Sequence, residues 1–370
     1  MSQEPNPVDE WIDEAYLTAS ALASRWIAAL AAAVLARLGW LDRAPAAVTE
    51  VAARLRVPAE RLRALDWLLE EARRCGAVAM AREAGGAPVY RPVEGFDVAA
   101  AVAACEPALA MEAEWIGASR AMMEHVADRY PEFLQGDRSG GSILYKGPAL
   151  ELITAYFSAA NPLYDVHNQL GRWGVGQALS RLGRPGRVLE LGTGLGGGTA
   201  AVVQGLAAGG ESAVASLTLT DIAPSFLLAT RERLAPLAAP MLLAHRRLDF
   251  TRPPAEQGLP AGSVDVLFGV NALHNAADPA AALADLGDLV GADGWVVLSE
   301  SICATGEHVH QDFIFNLLPP VPPPGGGATS RFLSAARWRE ILSATPFRFE
   351  IHANRRGPEF ALLALGQRAT

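Results

Sequence analysis

Apolar residues recur at helical spacing from Glu10 to Cys75, interrupted by short polar turns. The densest apolar stretch, Tyr16 to Trp40, contains Arg25 and Arg37. That fits a buried helix with snorkelling arginines better than a membrane span. Thr49 is placed to cap a short helix beginning Glu50-Val51-Ala52, and Pro58 sits where a first helical turn accepts it. From Arg61 to Arg74 one face carries Leu62, Leu65, Leu68, Leu69 and Ala72, with Gly76 to end the helix. Ala77 to Met80 and Pro88 to Tyr90 then flank a turn at Gly85-Gly86, the pattern of a small hairpin. Residues 101–183 read as mostly helical, with breaks at Pro107, Pro131, Gly136 to Gly141 and Pro162.

After Pro185 the period changes. Short apolar strands are expected at Arg187 to Leu191, Leu217 to Thr220, Val264 to Val270, Trp295 to Ser299 and near Phe360 to Leu365, with helices between. Alternation at this spacing predicts an α/β fold, a doubly wound and mainly parallel sheet. Leu318 to Gly327, dense in proline and glycine, reads as a loop. No repeat of 20–50 residues is visible. The organisation expected is a helical N-terminal domain over 1–100, a helical linker and lid over 101–183, and a sheet domain over 184–370.

Helix, turn, helix and a two-stranded wing make a winged-helix arrangement in the N-terminal domain, which raises DNA binding. Arg61, Arg63, Arg73 and Arg74 are its only local support, and they read equally as the solvated face of an amphipathic helix. The chain of 370 residues carries a net charge of −9, which argues against a nucleic-acid surface. It is 51% hydrophobic and 19% charged, enough apolar material for a sizeable core. Cys75, Cys105 and Cys303 are scattered without a C-x-x-C, which excludes a disulfide framework and a thiolate zinc site and fits a reducing compartment. The polar, acidic start from Met1 to Glu14 is unlike a secretory signal. A cytoplasmic protein is expected.

Chemistry concentrates after residue 185. Glu190-Leu-Gly192-Thr-Gly194-Leu-Gly196-Gly-Gly198 follows a strand and opens a helix, the context of a dinucleotide-type loop whose glycines let a ligand approach the backbone. Glu190 lies inside that loop. A carboxylate there repels a pyrophosphate and suits a cationic ligand, which favours S-adenosylmethionine over NAD. Asp221 ends the second strand, where an acid accepts both ribose hydroxyls; the plainer reading is a helix cap before Pro224-Ser225. Asp249 and Phe250 end the third strand region, placed to hold an adenine edge and face. His274 and Glu300 follow the fourth and fifth strands, so both fall at carboxyl ends in one crevice. A carboxylate holding an imidazole in one tautomer is the usual form of a histidine general base.

Residues 185–300 resemble a class I S-adenosylmethionine-dependent methyltransferase, with the E-x-G-x-G-x-G loop matched in full. The segments before them resemble the winged-helix dimerisation domain of two-domain small-molecule O-methyltransferases, which usually carry His-Asp-Trp where this chain has His274-Asn275-Ala276. Thr220-Asp-Ile222, Pro254-Ala-Glu-Gln-Gly258, Asn271-Ala-Leu-His274 and Glu300 are instead similar to polyketide-synthase methyltransferase domains, which use a His/Glu pair, often toward carbon. The resemblance implies S-adenosylmethionine as cofactor, S-adenosylhomocysteine as product and no metal. It implies cofactor contacts at Glu190, Gly192, Gly194, Gly196, Asp221, Ile222, Asp249, Phe250 and Asn271, with His274 and Glu300 catalytic. The expected acceptor is a small natural-product intermediate, free or tethered to a carrier protein. O-methylation leads on architecture and C-methylation is the alternative. A homodimer with no nucleic-acid or membrane partner is expected.

Substrate contacts are less determined. Trp115, Met122, Tyr164 and their aromatic and methionine neighbours read as core, or as the lining of an apolar acceptor chamber. His167 belongs to a helix expected over the site. In Glu307-His308-Val-His310-Gln-Asp312 the readings are substrate contact, a metal ligand set or a solvated helix start, and Phe313 and Asn316 follow on the same segment.

Overall fold

The computed structural model describes residues 6–82, 87–209, 214–235, 243–304, 310–319 and 332–369. The turn at Gly85-Gly86, Glu307 with His308, and most of the Pro/Gly segment lie outside these residues. The chain divides into two compact units, one of residues 14–156 with 308–320, the other of residues 1–13, 157–307 and 321–370. The stretch expected as a lid up to residue 156 therefore packs with the N-terminal helices, and helix 162–182 packs with the sheet.

The helical unit starts with α1 (Glu14–Arg37), long and apolar enough to cross a membrane by length and composition. Its Tyr16, Trp26, Ile27, Val34 and Leu35 are buried, 72% of its most apolar window is covered, and Arg25 and Arg37 emerge at the surface. That is the behaviour of a core helix with snorkelling arginines. Next come β1 (Ala46–Ala47), α2 (Val48–Leu55), α3 (Leu62–Arg74), β2 (Val78–Ala81) and β3 (Val89–Pro92). The strands form an antiparallel sheet in the order β1-β3-β2. The expected hairpin is present; β1 was not anticipated, because two alanines carry no strand signal. Thr49 is not the cap expected of it. α2 begins two residues earlier than expected, at Val48, and its N-cap is Ala47 with no side-chain bond.

The four arginines weighed for DNA binding differ among themselves. Arg73 and Arg74 are exposed and pair with Glu70 and Glu71. Arg61 instead donates to the Phe133 carbonyl and lies 4.7 Å over its ring, and Arg63 is pulled below its usual range by burial, countered by Asp312. Two of the four are thus committed to internal packing rather than to a solvated face.

Helices α4 (Val98–Ala103), α5 (Glu106–Met111), α6 (Ala113–Gln135), α7 (Gly140–Tyr145) and α8 (Ala149–Tyr156) complete this part of the unit. Pro131 does not break α6 as expected. Proline cannot bond the carbonyl four residues back, but that carbonyl, on Ala127, accepts a hydrogen bond from the Arg37 guanidinium.

The second unit contains α9 (Pro162–Leu182), β4 (Gly186–Leu191), α10 (Gly197–Gly209), β5 (Val214–Asp221), α11 (Pro224–Leu234), β6 (Leu243–Arg247), β7 (Val264–Val270), α12 (Pro279–Gly287) and β8 (Val290–Ser301). The turn α13 (Asp312–Phe315) returns to the helical unit. Then α14 (Ala335–Ser343), β9 (Phe347–Ala353) and β10 (Ala361–Arg368) close the sheet. The seven strands run β6-β5-β4-β7-β8-β10-β9, parallel up to β8 and antiparallel through β10 and β9. Leu189, Leu267, Val296, Leu298, Leu362 and Trp338 are among its core side chains. Strand order reverses between β4 and β7, which opens a crevice at their carboxyl ends. α9 lies close against the sheet: a Cβ on Gly174 would sit 2.5 Å from Val297 Cγ1, and one on Gly171 2.6 Å from Val270 Cγ2. β9 had no counterpart in the sequence reading.

Candidate active site

The glycine loop joins β4 to α10 at the crevice. Gly192, Gly194 and Gly196 all have positive φ, at 62°, 50° and 75°, a region closed to most side chains. At Gly197 the constraint is contact instead, since a Cβ would lie 2.0 Å from the Phe157 carbonyl oxygen.

Glu190 does not face open solvent; it is 2% exposed beneath the loop. Its carboxylate accepts the Thr199 hydroxyl, which stands 2.8 Å from the Thr193 hydroxyl. Burial pushes its pKa up to about 7, against the pull of those two threonines. The threonines were missed in the sequence, although both lie within the glycine motif and its first helical turn. Asp221 is 8% exposed, and its two oxygens accept the Gly194 N–H at 2.9 Å and the Ala223 N–H at 2.8 Å. It therefore ties the second strand to the loop and holds the turn before α11, whose N-cap is Ala223 with no side-chain cap bond, so the plainer reading as a helix cap does not hold. Ile222 next to it is 53% exposed. Asp249 Oδ1 accepts Thr251 N–H and Oγ–H at 3.0 and 2.6 Å, which holds its carboxyl below the usual range, and Phe250 packs on the sheet core.

His274 is 7% exposed in a short turn after β7, and Glu300 near the end of β8 is wholly buried. Glu300 Oε2 faces His274 Nδ1 at 2.7 Å, and Oε1 accepts the Leu273 N–H at 2.9 Å. A carboxylate at Nδ1 selects the tautomer protonated there, so Nε2 carries the basic lone pair. The Phe332 ring lies 5.3 Å from the imidazole. Asn271 accepts the Ser301 N–H on Oδ1 at 2.5 Å, and its Nδ2 is buried without a partner.

Of the remaining candidates, His167 and Tyr164 lie on α9. His167 is fully buried with Nε2 2.9 Å from Ser301 Oγ, and its ring meets that of Tyr164, which in turn meets Phe157 at 4.8 Å. The others belong to the helical unit. Trp115 is half-buried and Met122 wholly buried, while Phe313 is enclosed between Trp67 and Tyr130 at 5.9 and 5.0 Å. His310 is 4% exposed with neither ring nitrogen bonded, and burial lowers its pKa to about 4. Asn316 has neither amide atom paired and lines a cavity of about 400 Å³ with Arg61, Arg63, Phe133 and Gly140. Among the described residues no group of three His, Cys, Asp or Glu side chains is arranged to hold a metal ion.

The donor set fits S-adenosylmethionine. Two buried carboxylates, Glu190 and Asp221, lie at a loop whose backbone is bare of side chains at Gly192, Gly194 and Gly196, and the exposed Ile222 stands next to Asp221. Comparison with known proteins agrees. Residues 189–296 match a family model described as a methyltransferase domain. The highly reducing polyketide synthase FUM1 of Gibberella moniliformis is 27% identical over 229 residues, 61% of this chain and 8% of that protein. Pyochelin synthetase PchF of Pseudomonas aeruginosa is 28% identical over 292 residues, 76% of this chain and 16% of that one. The chain thus spans a small part of these relatives. Among solved structures, the DszA carbon methyltransferase superposes with a TM-score of 0.79 at 21% identity, covering 98% of this chain and 93% of its own. The trans-methyltransferase CalH, in complex with S-adenosylhomocysteine, gives 0.67 at 20% identity, covering 99% and 93%. The glycine loop, the switch-point crevice and the matched domain together make this an S-adenosylmethionine-dependent methyltransferase, similar in sequence to parts of polyketide synthases and in fold to carbon methyltransferases.

Proposed function

We propose that the enzyme methylates carbon, on a small polyketide-type acyl intermediate whose C–H is acidified by a neighbouring carbonyl, presented free or as a carrier-bound thioester. The observation that carries this reading is the His274–Glu300 pair, buried at the carboxyl ends of β7 and β8. The preference for carbon over oxygen is supported by likeness of fold across nearly the whole chain to carbon methyltransferases, DszA among them.

When bound, S-adenosylmethionine supplies a methyl group already activated on a sulfonium. Nε2 of His274 takes the proton from the acceptor carbon, and Glu300 stabilises the resulting imidazolium through Nδ1. The electron pair left on carbon forms the new bond to the methyl as the methyl–sulfur bond breaks, so S-adenosylhomocysteine departs neutral. General-base help of this kind is worth about 10²–10⁴-fold, and alignment of acceptor with methyl adds several orders of magnitude.

The test is incubation with methyl-labelled S-adenosylmethionine and a panel of β-ketoacyl thioesters, phenols and hydroxy acids, with the labelled methyl located by NMR. Label on the α-carbon of a thioester is expected. Label on oxygen, with thioesters inert, overturns the carbon assignment.

A further inference from the structure

Asn271 is one of two non-glycine residues with positive φ among the described residues, at 49°. A left-handed non-glycine residue is uncommon and persists where the surrounding structure over-determines it. Here the reason is visible in the ladder between β7 and β8, whose last regular pair is Val270 with Ser299. At the next position β7 turns away. The Asn271 N–H still reaches the Ser299 carbonyl at 2.8 Å, and its side chain then supplies the rung that the turned backbone cannot, with Oδ1 accepting the Ser301 N–H at 2.5 Å.

These two bonds bracket Glu300, the residue between Ser299 and Ser301. Glu300 in turn binds the Leu273 N–H at 2.9 Å and His274 Nδ1 at 2.7 Å. Three consecutive residues of β8 are thereby stitched to the segment 271–274, and Ser301 is secured from the other side by His167 Nε2 at 2.9 Å. We infer that Asn271 is a positioning residue: by holding the backbone on both sides of Glu300 it fixes the carboxylate against His274 and so selects the reactive tautomer. The positioning role uses Oδ1, which is spent on Ser301, and not the unpartnered Nδ2.

The inference rests on His274 serving as the base of the proposed reaction, so its first readout needs no acceptor. In histidine-¹⁵N-labelled enzyme saturated with S-adenosylhomocysteine, the wild-type His274 ring is expected as the single Nδ1–H tautomer. Asn271→Gly keeps the left-handed backbone and removes the amide. It is expected to populate both tautomers and to lower kcat about 10–100-fold, the scale lost when a reactive group is held loosely, with S-adenosylhomocysteine affinity changed less than about threefold. Asn271→Asp retains both the acceptor and a tolerance for positive φ and is expected to restore the single tautomer and most of kcat. A single tautomer in Asn271→Gly overturns the inference, as does an affinity loss as large as the kcat loss. Mixed tautomers with undiminished kcat uphold the positioning and instead remove His274 as the base.

Discussion

The Thr199 hydroxyl, in the first turn of α10, donates to the carboxylate of Glu190 at the end of β4. The bond closes the glycine loop from below and keeps an acid in a site 2% open to solvent. Burial there raises Glu190 to about 7, so the free enzyme holds its proton through mildly acidic pH. A cationic cofactor favours the carboxylate.

Binding of S-adenosylmethionine should therefore release a proton near pH 6, and affinity should rise as pH increases toward 7. Calorimetric titration in two buffers of different ionisation heat measures that proton directly. Glu190→Gln should abolish the buffer dependence. The free enzyme should show the matching linkage in stability. An acid raised in the folded state binds more protons folded than unfolded, so stability falls as pH climbs from about 4.5 to about 7. A thermal-melt series in which Glu190→Gln and wild type have the same slope across that window would refute the assignment.

Asp221 accepts the Gly194 and Ala223 amides, and each oxygen keeps a lone pair for a ribose hydroxyl. Asp221→Ala should weaken S-adenosylhomocysteine binding by about 10–100-fold, the worth of one or two charge-assisted hydrogen bonds. Ile222→Ala should cost less, because it removes only the apolar cover for the adenine. Unchanged calorimetric affinity in the aspartate variant would move the ribose elsewhere.

For the base, His274→Ala should lower kcat by about 10²–10⁴-fold and leave cofactor affinity within about threefold. Glu300→Gln should fall between that variant and wild type. Its amide can accept from Nδ1 or from the Leu273 N–H through one oxygen, and it cannot neutralise an imidazolium. Single-turnover rates at saturating cofactor separate these effects from binding, and a His274→Ala enzyme with most of its rate intact would require a different base.

The local parts of this site were legible because each has a short-range signature. The glycine spacing, the acid at the end of β5, the histidine after β7 and the glutamate near the end of β8 all follow from where strands stop. What escaped depends on partners far along the chain. Nothing local shows that Thr199 donates to the Glu190 carboxylate, or that β8 arrives to take Asn271 Oδ1. The segment after β8 carries no local sign that Phe313 belongs between Trp67 and Tyr130, more than 180 residues earlier. β9 was overlooked although Phe347, Phe349, Ile351 and Ala353 alternate strictly with Arg348, Glu350 and His352, the period-two pattern of a half-buried strand, here at the sheet edge.

Pro131 gives a last prediction, on the helical unit. An unbroken helix through a proline leaves the carbonyl of Ala127 without its backbone donor, and burying that oxygen unpaired costs about 1–3 kcal/mol. Arg37 fills the gap from the end of α1 and also meets Asp128 at 3.2 Å, a pair too exposed to contribute much. Arg37→Met keeps the apolar stem and removes the donor, so it should destabilise the protein by about 1 kcal/mol or more. Pro131→Ala restores the backbone N–H and should make the same Arg37 substitution nearly neutral. A double-mutant cycle in urea reads the difference as a coupling energy. Equal losses in the two backgrounds would mean that Arg37 acts through Asp128 or through packing, and that α6 tolerates its proline for another reason.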